Sequence, residues 1–311
     1  MGSFDTPLEE IDGVLQGPLR RPRQMLADQT YGGHLSIHDD AMAEDLGFSG
    51  GPIEGPTHFS QFVPLVEHLW GVEWHETGCL SAHYQNMCVE GDEVRAFAEI
   101  PADGATRTRV WAEKADGTPV LEASASIGHD NGPSLLDERM AKLRAPERLV
   151  ILEDLTVGMR GQVDERITMG FDDHMGDLYP FTLRDKMSVI TERSSYSTPE
   201  DGDGSPWGAP IIPLEMISVL AETTNRQAGF PVKGPAIGLF ADQEIAMLDG
   251  PLFVGHEYIL RRQVVALSES RRTESYWVRT SIHDAASGDL KARMLLNHAT
   301  LKDSYAGYPA E

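Results

Sequence analysis

The strongest constraint on this 311-residue chain is a pattern that runs through it twice. In the first run, Phe59, Phe62, Val63, Val66, Leu69 and Trp70 fall at helical spacing and leave almost no polar face, so the segment must be buried. Pro64 within it implies a kink or a late helix start, and Gly71 closes it. The period then changes to two. Leu80–Cys88, Val94–Ile100, Thr106–Lys114 and Val120–Ile127 read as strands, separated by turns at Val89–Glu93, Pro101–Gly104 and Asp116–Gly117. One buried helix followed by consecutive antiparallel strands is an α+β pattern in which the helix lies on the sheet.

The second run begins at Trp207-Gly208-Ala209-Pro210-Ile211-Ile212, which echoes Ser49-Gly50-Gly51-Pro52-Ile53. Leu214–Ala228 is helical, with Met216, Val219 and Leu220 on one face, and Gly238–Met247, Glu257–Leu267, Glu274–His283 and Leu290–Leu301 read as strands. Gly255 takes the turn place of Gly91, and Ser287–Asp289 that of Asp116–Gly117. An internal duplication with a period of about 150 residues accounts for this. The expected organisation is an N-terminal unit over residues 1–130 that carries the active site, a linker over 131–150, and a degenerate C-terminal unit over 151–311. The linker contains a short helix, Leu135–Leu143. Two such units are expected to join their sheets edge to edge. Residues 1–18 read as a polar lead-in, Gln24–Tyr31 as a strand, Asp39–Leu46 as a short helix ended by Gly47, and Arg184–Ser195 as a strand before a loop to Gly204.

Charge and composition narrow the partners. A net charge of −23 argues against nucleic acid, which needs a basic face. No apolar run approaches the ~18–20 residues of a membrane span. The N-terminus lacks a basic region followed by an apolar run, so no signal peptide is expected and the cytoplasm is the expected compartment. Cys79 and Cys88 have no metal or redox spacing and read as free thiols. The histidines are scattered and no glycine-rich phosphate loop is present, so no metal and no cofactor are expected. The expected partner is a small-molecule substrate.

The chemistry-bearing residues concentrate just before the first buried helix. His38 has an imidazole suited to proton transfer near neutrality, and beside Asp39 it can equally cap a helix start. Glu54, next to apolar Ile53 and Phe59, is placed for a raised pKa, which a helix dipole would oppose; it can equally accept turn amides. His58, four residues on, can share a face with Glu54 or be a satisfied core histidine. Gly55 and the amides after it are candidates to hold a carbonyl oxygen at the helix start. Asp39 and Asp40 read as caps or solvated acids, His34 as weakly placed, and Tyr84 as a wall residue of a pocket or of the core.

Ile37-His38-Asp39-Asp40, Ala43, Gly47-Phe48 with Gly50, and Gly55 before a buried helix resemble the MaoC-like hydratase/dehydratase family. Val89–Val94 is similar to that family's sheet turn and Ala115–Val120 to its last hairpin. The resemblance covers about residues 20–130 well and 183–302 weakly. It implies a double hotdog, two copies of a long helix wrapped by an antiparallel sheet, and pairing into a homodimer. It also implies a lyase acting on water next to a carbonyl, with an acyl thioester such as a coenzyme A ester as substrate. His38 falls on the signature histidine. Gly33, Leu35 and Ser36 stand where the signature has Asp, Asn and Pro, and Glu54-Gly55 stands where the family has His-Gly. The expected catalytic set is therefore His38 and Glu54, with His58 in reserve, and Gly55, Asp40 and Tyr84 toward substrate. A thioesterase using Glu54 and a non-catalytic ligand-binding hotdog are the alternative readings.

Overall fold

The computed structural model describes residues 2–26, 28–30, 36–38, 40–45, 50–129, 132–199 and 205–309. Gly33, His34, Leu35, Asp39, Gly47, Phe48 and the end of the loop at Gly204 lie outside the described residues.

In chain order, β1 (Glu9–Ile11) and β2 (Val14–Gln16) form a hairpin, and α1 (Asp40–Asp45) follows. A 3-10 helix over Gly55–Phe62 runs into α2 (Val63–Trp70) and a single turn, α3 (Trp74–Thr77). Then come β3 (Gly78–Tyr84), β4 (Val94–Glu99), β5 (Arg107–Lys114), β6 (Pro119–Ile127) and α4 (Leu135–Met140). The second half holds β7 (Glu165–Thr168), α5 (Leu183–Val189), α6 (Leu214–Glu222), β8 (Gly238–Met247), β9 (Glu257–Glu269), β10 (Thr273–Asp284) and β11 (Leu290–Leu301).

The eleven strands of the described residues form one sheet, ordered β1-β2-β4-β5-β6-β3-β8-β11-β10-β9-β7. The block β4-β5-β6-β3 is answered by β8-β11-β10-β9, the same order reversed. The two blocks meet where β3 runs antiparallel to β8, with Leu80 opposite Ile245 and Ser81 opposite Glu244. The helix entries repeat as well: Ile53 N–H donates to Cys88 O at 2.6 Å, and Ile212 N–H donates to Leu252 O at 2.8 Å. This is the double hotdog arrangement, with the two sheets joined edge to edge through β3 and β8.

The helices form as the side chains demand. Pro64 has no N–H, so the chain reaches it as a 3-10 turn and the α-helical ladder starts at Val63, where a donor is not needed. Phe59, Phe62, Leu65 and Val66 are fully buried and join Leu80, Val110, Met216, Leu220, Ile245 and Met294 in one core that spans both units. Every residue of α6 is buried. Truncating Phe59 or Phe62 to Ala should cost about 3–5 kcal/mol of stability.

Three local expectations are corrected. The Arg184–Ser195 strand is instead the helix α5, because Thr182 and Asp185 form a reciprocal capping box and Leu183 and Met187 share a buried face. The described residues of Gln24–Tyr31 form no strand; Gln24 Oε1 turns back to accept from Leu26 N at 2.6 Å. The polar lead-in holds β1 and β2, which extend the first sheet through the pairing of β2 with β4. Among the described residues no helix is long and apolar enough to cross a membrane. Both cysteines are free thiols.

Candidate active site

A glycine-rich turn locks the entry to the first buried helix. A Cβ on Gly51 would come 2.3 Å from His38 O, so only glycine lets the two backbones approach. Asp40 Oδ1 accepts from Gly51 N at 2.8 Å. Asp40 is thus a clamp on the turn and does not lie on the cavity wall, contrary to its expected place toward substrate.

This turn positions His38. Its backbone N–H donates to Ser36 Oγ at 3.1 Å, and Ser36 Oγ donates to Gln29 Oε1 at 2.6 Å. Its ring Nδ1 lies 2.7 Å from Pro52 O. A carbonyl oxygen only accepts, so Nδ1 carries the proton and Nε2 keeps the lone pair. Burial lowers the imidazole to about 4, against the Pro52 hydrogen bond, so His38 is neutral at neutral pH.

Glu54 stands at the N-cap of the 3-10 helix, but its side chain caps nothing. It instead accepts a 3.0 Å hydrogen bond from Tyr179 OH, 125 residues away in sequence. Burial raises Glu54 to about 7, opposed by the Lys186 charge and the Tyr179 bond. Lys186 is itself buried, 3.1 Å from Glu215 Oε1 and 3.3 Å from Thr57 Oγ1, and Glu215 also accepts from Ser60. A buried ion pair in the second unit's helices therefore sits beneath the first unit's acid. Four residues along, His58 is buried and its Nδ1 has no hydrogen-bond partner. Burial and the Lys186 and Lys114 charges lower it to about 4.

Gly55 is a glycine for a visible reason: a Cβ there would lie 2.3 Å from Tyr84 Cζ. The Tyr84 hydroxyl donates to Gln243 Oε1 at 2.9 Å, and Gln243 Nε2 donates to Ser218 Oγ at 2.7 Å. Tyr84 therefore offers its ring to the cavity and spends its hydroxyl on the joint between units. The helix start provides fewer amide donors than expected. Pro56 has none, and Thr57 N–H donates to Glu54 O at 3.0 Å, which leaves Gly55 N–H.

His38, Glu54, Gly55, His58 and Tyr84 all line one cavity of about 460 Å³. Tyr179, Glu222 and His298 of the second half complete the wall. These three were not legible beforehand. Tyr179 lies in a loop, and Glu222 and His298 sit in runs that read as core. The available signal was an acid at each end of a fully buried helix, Glu215 and Glu222.

The corresponding place in the second unit differs. Pro213 stands at the N-cap that Glu54 occupies in the first unit. The cavity there is only about 40 Å³, with Phe4 in its wall. Ser3 donates to Glu67 from both its N–H and, at 2.6 Å, its hydroxyl. His75 Nε2 lies 2.8 Å from Glu67, and Arg20 and Thr6 both reach Glu192. Burial would raise Glu67, yet the hydrogen bonds from His75 and Ser3 hold it below its usual value. Among the described residues no group of three or more His, Cys, Asp and Glu side chains is arranged to hold a metal ion.

No protein-family model matches the sequence, and no curated protein matches it. Solved structures do match in shape. A MaoC domain protein of Chloroflexus aurantiacus J-10-fl, assigned as a dehydratase, is 14% identical with a TM-score of 0.51, covering 86% of this chain and 87% of that one. A Mycobacterium tuberculosis protein with a double hotdog fold is 10% identical with a TM-score of 0.49, covering 89% and 90%. A Novosphingobium aromaticivorans DSM 12444 protein assigned as a thioesterase is 14% identical with a TM-score of 0.45, covering 95% and 98%. The chain has the double hotdog fold of the MaoC-like dehydratases.

Proposed function

We propose that this protein is a hydro-lyase that removes or adds water at the bond next to a carbonyl, with an acyl thioester as the substrate class. One observation carries the reading. A single cavity holds neutral His38, its Nε2 lone pair set by the Pro52 carbonyl, and Glu54, which burial holds close to half-protonated at neutral pH. Environments that push two titratable groups apart in this way assign one as base and the other as acid. A cavity of about 460 Å³ suits a small ligand.

In the elimination direction, His38 Nε2 takes the proton from the carbon next to the carbonyl. The electron pair passes through the enolate to form the double bond. Protonated Glu54 gives its proton to the departing hydroxyl, which leaves as water. On this reading the Gly55 N–H stabilises the enolate oxygen. Imidazolium and carboxylate remain, and a proton moving from His38, near 4, to Glu54, near 7, restores the resting state downhill. Hydration is the same path reversed. On this reading residues 1–130 supply the acid and base, and residues 151–311 supply the far wall and the Tyr179 hydroxyl that orients Glu54.

A panel of 3-hydroxyacyl and 2-enoyl thioesters tests the reading, with enoyl absorbance and free thiol followed in parallel. The expected result is an enoyl change without thiol release. Thiol release without an enoyl change would instead assign the site to thioester hydrolysis, with Glu54 activating water.

A further inference from the structure

The second half contributes its own polar pair to the cavity. Glu222 ends α6 and His298 lies on β11, and both are buried. Glu222 Oε1 and His298 Nε2 have no hydrogen-bond partner, and Glu222 Oε2 stands 3.7 Å from His298 Nε2, too far to bond. The His298 ring is stacked on Tyr276 at 4.7 Å with an 11° interplanar angle, and Phe240 meets it edge-on at 5.7 Å. Neither residue takes part in the elimination described above. Buried polar groups without partners are rare and destabilising. Here both residues that carry them line one cavity, beside the rings of Tyr276 and Phe240.

We propose that Glu222 and His298 form a second polar subsite that binds a hydroxyl on the acyl part of the substrate. The inference rests on the reading that the cavity takes an acyl compound. It makes the substrate an oxygen-functionalised acyl group instead of a plain hydrocarbon chain. A hydroxyl fits because it accepts one hydrogen bond and donates another, and this pair offers one of each. Burial raises Glu222 to about 8, aided by Glu54 and opposed by Arg262. Burial, with the Arg262 charge, lowers His298 to about 3. At neutral pH Glu222 is thus a neutral carboxyl that donates, and His298 a neutral imidazole whose unprotonated nitrogen accepts. Arg262 does not compete for the ligand, since it is engaged by Glu165, Ala221 O and Thr224. A carboxylate on the ligand would face acids, so the subsite disfavours it.

The test is calorimetric binding of matched probes to the full chain: hexanoyl-CoA against its 4-, 5- and 6-hydroxy derivatives and its 6-amino derivative. The thioester-free pair hexanamide and 6-hydroxyhexanamide is measured beside them. Wild type should bind at least one hydroxylated probe roughly 10- to 100-fold tighter than its parent. Glu222→Met and His298→Phe, the latter keeping the ring on Tyr276, should each remove that preference while binding the parent probe as before. His38→Ala should keep it. Equal affinities in wild type, a preference that survives both substitutions, or binding of none of the probes would overturn the subsite. Tighter binding of the amino probe would overturn it too, by making the pair a cation site. If the hydroxyl preference holds while no thioester is turned over, the subsite stands and the hydro-lyase reading falls.

Discussion

The two units enclose the same kind of buried helix and end in opposite kinds of cavity. In the first, Glu54 faces about 460 Å³ of space, and burial drives it up to about 7. In the second, Pro213 replaces the acid, Ser3–Thr6 supply partners to the nearby carboxylates, and about 40 Å³ remains. Glu67, on α2 of the first unit and bonded to His75 of that small cavity's wall, is buried as well, yet His75 and Ser3 hold it below its usual value. Burial acts on both acids in the same direction. The number of donors decides whether a group is poised for proton transfer or serves as a structural anchor.

The largest effect that sharpens this contrast is on turnover. His38→Ala and Glu54→Gln should each lower kcat by about 10²-fold or more, as loss of a general base or acid does. Glu67→Gln, the comparable change beside the small cavity at Pro213, should leave kcat of the folded protein within about threefold. Steady-state kinetics at neutral pH check both. An equal loss in all three would erase the distinction between the two cavities.

Stability should answer in the reverse sense. Glu67→Leu leaves His75 and Ser3 without their acceptor in a buried setting and should cost about 2–4 kcal/mol in denaturant unfolding. Glu54→Gln should stabilise the protein at neutral pH by at most about 3 kcal/mol, because it replaces a buried acid whose folded pKa is raised above the unfolded one. The sign follows from proton binding. Between pH 4.5 and about 7 the folded Glu54 holds a proton that the unfolded one has lost, so wild-type stability falls as pH rises through that window. The advantage of Gln should therefore vanish below pH 4.5. Glu67 works the other way, since its lowered folded pKa gives stability that is present above 4.5 and is lost on acidification.

The smallest effect is the shape of the pH profile. Elimination needs neutral His38 and protonated Glu54, so kcat/KM should be flat between about 4 and about 7 and fall on either side. His58→Gln should leave that shape intact. Loss of the limb above 7 in His58→Gln would move the acid role away from Glu54.

The sequence exposed the fold more fully than the site. Eight strands show because alternation over six or more residues survives one buried face, and Gly238–Met247 and Leu290–Leu301 come out with their observed ends. β1 and β2, three residues each, are too short to carry a period. α5 reads as a strand in the sequence because its apolar residues are sparse, although the Thr182/Asp185 capping box marks a helix start. His38 and Glu54 stand out as local chemistry beside a turn. Their tuning does not, since Tyr179 and Lys186 reach Glu54 from the other half of the chain and no local pattern encodes that approach. Glu222 is hidden for a related reason. It sits inside a helical run that reads as core, and nothing in that run shows that β11 brings His298 beside it.

The most direct test of a single working cavity is a crystal structure with a 3-hydroxyalkyl thioether of coenzyme A, which has no acyl carbon to hydrolyse. The expected result is one ligand per chain, with its 3-hydroxyl within hydrogen-bond reach of Glu54, its second carbon facing His38 Nε2, and nothing in the cavity beside Pro213. A ligand seated beside Pro213, or one in the first cavity with its reacting carbons turned away from both His38 and Glu54, would contradict it.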